Sequence, residues 1–179
     1  MLRLNLSNIY ELSLREMERS ERLAVLSIQN MLGAVLGLGA LSTIAPNLRE
    51  LSLASSSDLA AEPVELPSTL QELRLELPHV PSLALAGLGM RTLGIHAREG
   101  GDAEVSALLS GAHAGIENVS LRGTPVSDAI FGELARFQRL RYLDVVNTNV
   151  TAEALHRFTA ERPSLRFHPR PRATTQSRA

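Results

Sequence analysis

Leu48-Arg49-Glu50-Leu51-Ser52-Leu53 and Leu70-Gln71-Glu72-Leu73-Arg74-Leu75 are two copies of one pattern, L-x-x-L-x-L, set 22 residues apart. Within each copy the last four positions alternate apolar and polar side chains. A period of two describes a short strand with one buried face. Reading outward from this pair finds the pattern in both directions. Aligned on its second apolar position, it recurs at Leu4, Leu26, Leu51, Leu73, Leu93, Val119 and Leu143, at intervals of 22, 25, 22, 20, 26 and 24 residues. Two residues on, the third apolar position is held by Leu6, Ile28, Leu53, Leu75, Ile95, Leu121 and Val145. A degenerate eighth copy begins at Leu165, where Pro169 prevents a further regular strand.

A unit this short cannot bury its own leucines, so neighbouring units must stack to share a core. The expected fold is α/β: a curved parallel sheet built from the seven motifs on a concave side, with helices and irregular segments on the convex side. The connecting segments differ. Asp102 is expected to cap a helix running through Leu109 and ended by Gly111. Ser127 is expected to cap a helix carrying Ile130, Phe131, Leu134 and Phe137, and Thr151 one carrying Leu155 and Phe158. The prolines of Leu77-Pro78-His79-Val80-Pro81 forbid a normal helix and imply extended or irregular backbone. Met31 to Ile44 is compatible with helix, weakened by Gly33, Gly37 and Gly39. Residues 1–169 then make one domain, and 170–179 a disordered tail rich in arginine and threonine.

Composition narrows the classes of function. A net charge of −1 gives no push toward nucleic acid or an anionic membrane. The absence of cysteine excludes disulfides, thiolate metal sites and a thiol nucleophile, and fits a cytoplasmic setting. All 18 basic residues are arginine, the signature of a GC-rich, bacterial-type genome. Leu23 to Ala45 is a run of 23 residues without a charge, long enough to span a bilayer, but it fits the repeat and reads as one buried unit. The start of the chain lacks the charged and apolar regions of a signal peptide.

With these motifs the chain resembles the leucine-rich-repeat family over roughly Met1 to Phe167. Gly123-Thr124-Pro125-Val126-Ser127-Asp128, and more loosely Asn147-Thr148-Asn149-Val150-Thr151-Ala152, resemble the bacterial-type repeats with G-T-x-V-[ST]-D after the strand. Leu66-Pro67-Ser68-Thr69-Leu70 resembles the short proline-containing repeats of bacterial effectors. The chain departs from the family at the buried asparagine that usually follows the strand. Ile9, Met31, Ser56, Pro78, Arg98, Thr124 and Thr148 stand there instead. The resemblance implies a solenoid that binds a ligand, usually a protein, on its concave sheet.

The alternation states which side chains face that sheet's open side. The N-terminal part of the face is small and neutral, while the C-terminal part gathers Glu72, Arg74, Glu76, His96, Arg122, Tyr142 and Asp144. Tyrosine and arginine are the residue types that most often anchor interfaces. These seven are the candidate binding residues, against the alternative of a solvated face with ion pairs between Arg74 and Glu72 or Glu76, and between Arg122 and Asp144. A second candidate interface is the first strand. Leu4 and Leu6 begin the series with nothing before them, so a second copy, a partner or an upstream domain is expected to cover that edge, unless Ile9 to Met17 folds over it.

No chemistry-bearing motif emerges. His79, His96, His113, His156 and His168 have no metal-ligand spacing, and no phosphate-binding loop or nucleophile elbow occurs. Asp58, Glu62 and Glu65 form no convincing acid–base pair. The expectation is a protein without catalytic activity, cofactor or metal, which binds a protein partner. An inhibitor or immunity protein that sequesters one enzyme, or a bacterial effector, are the alternatives.

Overall fold

A computed structural model describes residues 1–10, 12–32, 35–59 and 64–168. The expected tail at 170–179, together with Gly33, Glu62 and Pro169, lies outside them. Among the described residues the strands are β1 (Leu2–Ser7), β2 (Leu12–Ser13), β3 (Leu23–Met31), β4 (Val35–Leu36), β5 (Glu50–Ser55), β6 (Glu72–His79), β7 (Thr92–Glu99), β8 (Asn118–Ser120), β9 (Tyr142–Asp144) and β10 (Arg166–Phe167). The helices are α1 (Leu41–Ile44), α2 (Asp102–Ser110), α3 (Ile130–Leu134) and α4 (Ala152–Ala160).

Eight of the strands form one parallel sheet in the order β1-β3-β5-β6-β7-β8-β9-β10. Its register reproduces the sequence alignment. Leu4 pairs with Leu26, Leu26 with Leu51, Leu51 with Leu73, Leu73 with Leu93, Leu93 with Val119, Val119 with Leu143, and Leu143 with Phe167. Successive motifs are therefore neighbours in the sheet, each joined to the next by a crossover, as parallel pairing requires. The apolar columns from Leu23 to Val145 are buried and merge into one core with Val105, Leu109, Ile130, Leu134, Phe137, Leu155 and Phe158 from the helical side. From Glu72 to Pro78, β6 alternates between buried and accessible positions, so the face away from the core is open.

Two capping expectations need correction. Asp102 does not cap α2. It is the first helical residue; the cap position is Gly101, whose N–H donates to Glu104 Oε2 at 2.9 Å. Asp102 reaches instead to the following unit, where its carboxylate accepts from both the N–H and the hydroxyl of Ser127. Ser127 therefore does not cap α3; its hydroxyl accepts from Ala129, ahead of the helix. Asp128 repeats the Asp102 arrangement, accepting from Thr151 N–H at 2.7 Å and Thr151 Oγ1 at 2.8 Å. Thr151 does cap α4, accepting from Ala154 N–H at 3.2 Å. An aspartate in one unit thus fixes the hydroxyl residue of the next, twice.

The positions of the missing asparagine are also used. Thr124 is fully buried, donating to the Ile95 carbonyl and accepting from Ala97 N–H, both at 3.1 Å and both in the preceding unit. Ser56 donates to the Met31 carbonyl one unit back. Thr148 turns inward on its own unit, bonding the Val145 carbonyl and Val150 N–H. Two residues after the third apolar position, Asn8, Asn30, Gly123 and Asn147 all adopt positive φ, a left-handed bend that at Asn30 shifts the register within β3 and at the other three follows the strand's end. Asparagine and glycine are the residues that tolerate it.

Met31 to Ile44 is not a continuous helix. It holds β4, one 3-10 turn at Leu38–Ala40 and the single turn α1. Across the described residues no helix is long and apolar enough to cross a membrane, the Leu23–Ala45 stretch included. Leu77-Pro78-His79 is extended, as the prolines imply, and prolongs β6. At the other end, β1 has β3 as its one neighbour among the described residues. Leu4 and Leu6 are half-buried against the core. Leu12–Ser13 forms β2 beside β4, Ile9, Leu12 and Met17 pack against the core, and Leu14 is fully buried.

Candidate functional site

The open face of β5 to β9 carries a shallow trough of about 730 Å³. All seven residues expected on the binding face line it: Glu72, Arg74, Glu76, His96, Arg122, Tyr142 and Asp144. Period-two alternation on adjacent parallel strands accounts for this. Arg74 lies beside Gly94, Glu76 beside His96, and Asn118 beside Tyr142. Along one row of the floor the small residues Ser52, Gly94 and Ser120 flank Arg74.

Charge is unevenly placed. Arg74 Nε pairs with Glu72 at 2.7 Å, while His96 Nδ1 stands 3.9 Å from Glu76. Arg74, His96 and Glu76 are well exposed and Glu72 is partly exposed, so the pairs contribute little stability and stay available to a ligand. Arg122 pairs with no carboxylate among the described residues. Gly123, at φ +75°, leaves room for the His96 imidazole, which a β-carbon there would strike.

One of the seven is held differently from the rest. Asp144 is 6 % exposed, and its Oδ1 accepts from Val146 N–H at 3.0 Å. It closes the end of β9 and does not pair with Arg122. Its parity in the strand points outward, but a short carboxylate bends back to a backbone N–H two residues on. Val25, also on an outward position, is buried at 8 %. Tyr142 is accessible as expected, at 36 %.

One cluster was not anticipated from the sequence. His79 at the end of β6 bridges Asp58 and Glu99. Its Nδ1 lies 2.8 Å from Asp58 Oδ2, and its Nε2 lies 3.0 Å from Glu99 Oε2. The hydrogen bond and charge of Asp58, then those of Glu99, raise the imidazole pKa above its ordinary value. A neutral imidazole has one N–H and donates to one carboxylate; the protonated ring donates to both. The separations of 21 and 20 residues are the unit period itself, which is the signal that could have found the cluster. Among the described residues no group of histidine and carboxylate side chains is arranged to hold a metal ion.

Comparison with protein-family models, with curated proteins and with solved structures finds no match.

Proposed function

We propose that this chain is a leucine-rich-repeat solenoid that acts as a protein-interaction module, with the open face of its sheet as the concave binding surface. The observation that carries this reading is the trough over β5 to β9, where Arg122 and Tyr142 stand accessible beside a floor of small side chains. The repeat register supports the solenoid, because each apolar column continues through successive strands. Tyrosine and an unpaired arginine supply anchoring area and directional donors at little ordering cost. The reading assigns no catalytic residue, and it places the module in the cytoplasm, where a cysteine-free chain fits.

Tagged wild-type protein and an R122A/Y142A variant, used as baits in lysate of the source cell, test it. The wild type should retain one protein in stoichiometric amount, and the variant should lose it while keeping the wild-type circular dichroism. Equal retention by both baits refutes the assignment. If the retained protein is a single enzyme whose activity falls on binding, the module is an inhibitor.

A further inference from the structure

The trough does not end at β9. Asn118 and Tyr142 line it and also line a second depression at the starting ends of β8 to β10. Arg139, Arg141 and Arg166 border this second depression. All three are exposed, and none has an ion pair among the described residues. Gln138 and Ser164 add neutral polar groups, and Glu117 is its one carboxylate.

The two ends of the continuous track therefore differ in sign. At the β6 end, Glu72 and Glu76 face one arginine, Arg74, with His96 beside Glu76, and Glu50 stands beside Glu72 in register. At the β9–β10 end, Arg122 and the three arginines outnumber Glu117, because the Asp144 carboxylate is turned to backbone. From β6 to β10 is four strand spacings, about 19 Å, a distance covered by about six extended residues.

We propose that the track takes an extended protein segment of opposite polarity, with basic residues over Glu72 and Glu76 and acidic residues against Arg139, Arg141 and Arg166, about six residues apart. This rests on the reading of the open face as a partner-binding surface. Guanidinium–carboxylate contacts at both ends fix the direction of the segment and speed its encounter. A nucleic acid fits less well, since a continuous polyanion leaving the arginines would run over Glu72 and Glu76.

Fluorescence anisotropy with labelled synthetic peptides at low ionic strength tests this directly. One peptide carries an arginine triplet, a glycine–serine spacer of about six residues and a glutamate triplet. Two others keep only the arginines or only the glutamates, and an oligothymidylate of similar length serves as polyanion. The two-signed peptide should bind about tenfold more tightly than either single-signed peptide. R141A/R166A should remove that advantage without moving the arginine-only peptide or the melting temperature. Equal binding of the acidic and two-signed peptides, no effect of R141A/R166A, or tighter binding of oligothymidylate would each overturn the proposal. Failure here leaves capture of a cellular partner through Arg122 and Tyr142 to its own test, because that experiment touches neither Arg141 nor Arg166.

Discussion

Thr124→Val is the sharpest test of how adjacent units are joined. The substitution keeps the shape of the side chain and deletes one hydroxyl. That hydroxyl is fully buried and joins two backbone groups of the preceding unit, the Ile95 carbonyl and the Ala97 N–H, at 3.1 Å each. Valine leaves both without this partner and without access to water. Each buried group left unpaired costs about 1–3 kcal/mol, so the variant should lose about 2–6 kcal/mol. Against a typical total of about 5–15 kcal/mol this is large. Urea denaturation followed by circular dichroism measures it, with the slope checked for constancy. Ser56→Ala is the control: its bond to the Met31 carbonyl also links units, but the residue is exposed and water can replace the hydroxyl, so the loss should stay near about 0.5 kcal/mol. A Thr124→Val loss no greater than that of Ser56→Ala would refute the inter-unit role.

Three further outcomes follow from individual side chains. The His79 pKa is raised by Asp58 and then Glu99, so the protonated bridge stabilises the fold below the ordinary histidine pKa and is lost as pH rises through the raised value. The urea midpoint should therefore fall with pH just above about 6.5, and His79→Gln should flatten that part of the profile. Asp144→Ala should lower stability by about 1–3 kcal/mol through the orphaned Val146 N–H, whereas Asp144→Asn, which keeps an acceptor, should lose less than half of that; both melt by calorimetry. Gly123→Ala should cost about 1–2 kcal/mol for a side chain at positive φ, and should displace the His96 imidazole, visible as shifted His96 ring resonances.

Strand register was legible because it depends on a short-range pattern repeated many times. Each apolar column is specified by parity, and a slip by one residue would turn every leucine outward. Thr151 was legible for a similar reason, since its capping bond lies within three residues. What escaped were bonds between units. Asp102 looks like a cap by local rules, yet its partner is Ser127, 25 residues away. Asp58, His79 and Glu99 look unrelated in sequence and meet because each is one unit from the next. Thr124 substitutes for an asparagine by the same logic, placing a hydroxyl where the preceding strand leaves two groups unpaired. On the face itself, parity located Arg122, Tyr142 and Asp144, but it did not show that the Asp144 carboxylate is short enough to satisfy its own backbone.

The binding face is tested most directly by calorimetric titration of the captured partner into purified wild-type protein and two variants. R122A/Y142A alters the open face, and R157A alters an exposed arginine of α4 on the helical side. Loss of two anchoring side chains should weaken binding by at least about 100-fold in R122A/Y142A, at about 1.4 kcal/mol per factor of ten, with R157A unchanged. Wild-type affinity in R122A/Y142A, or a comparable loss in R157A, would contradict a partner site on the open face of the sheet.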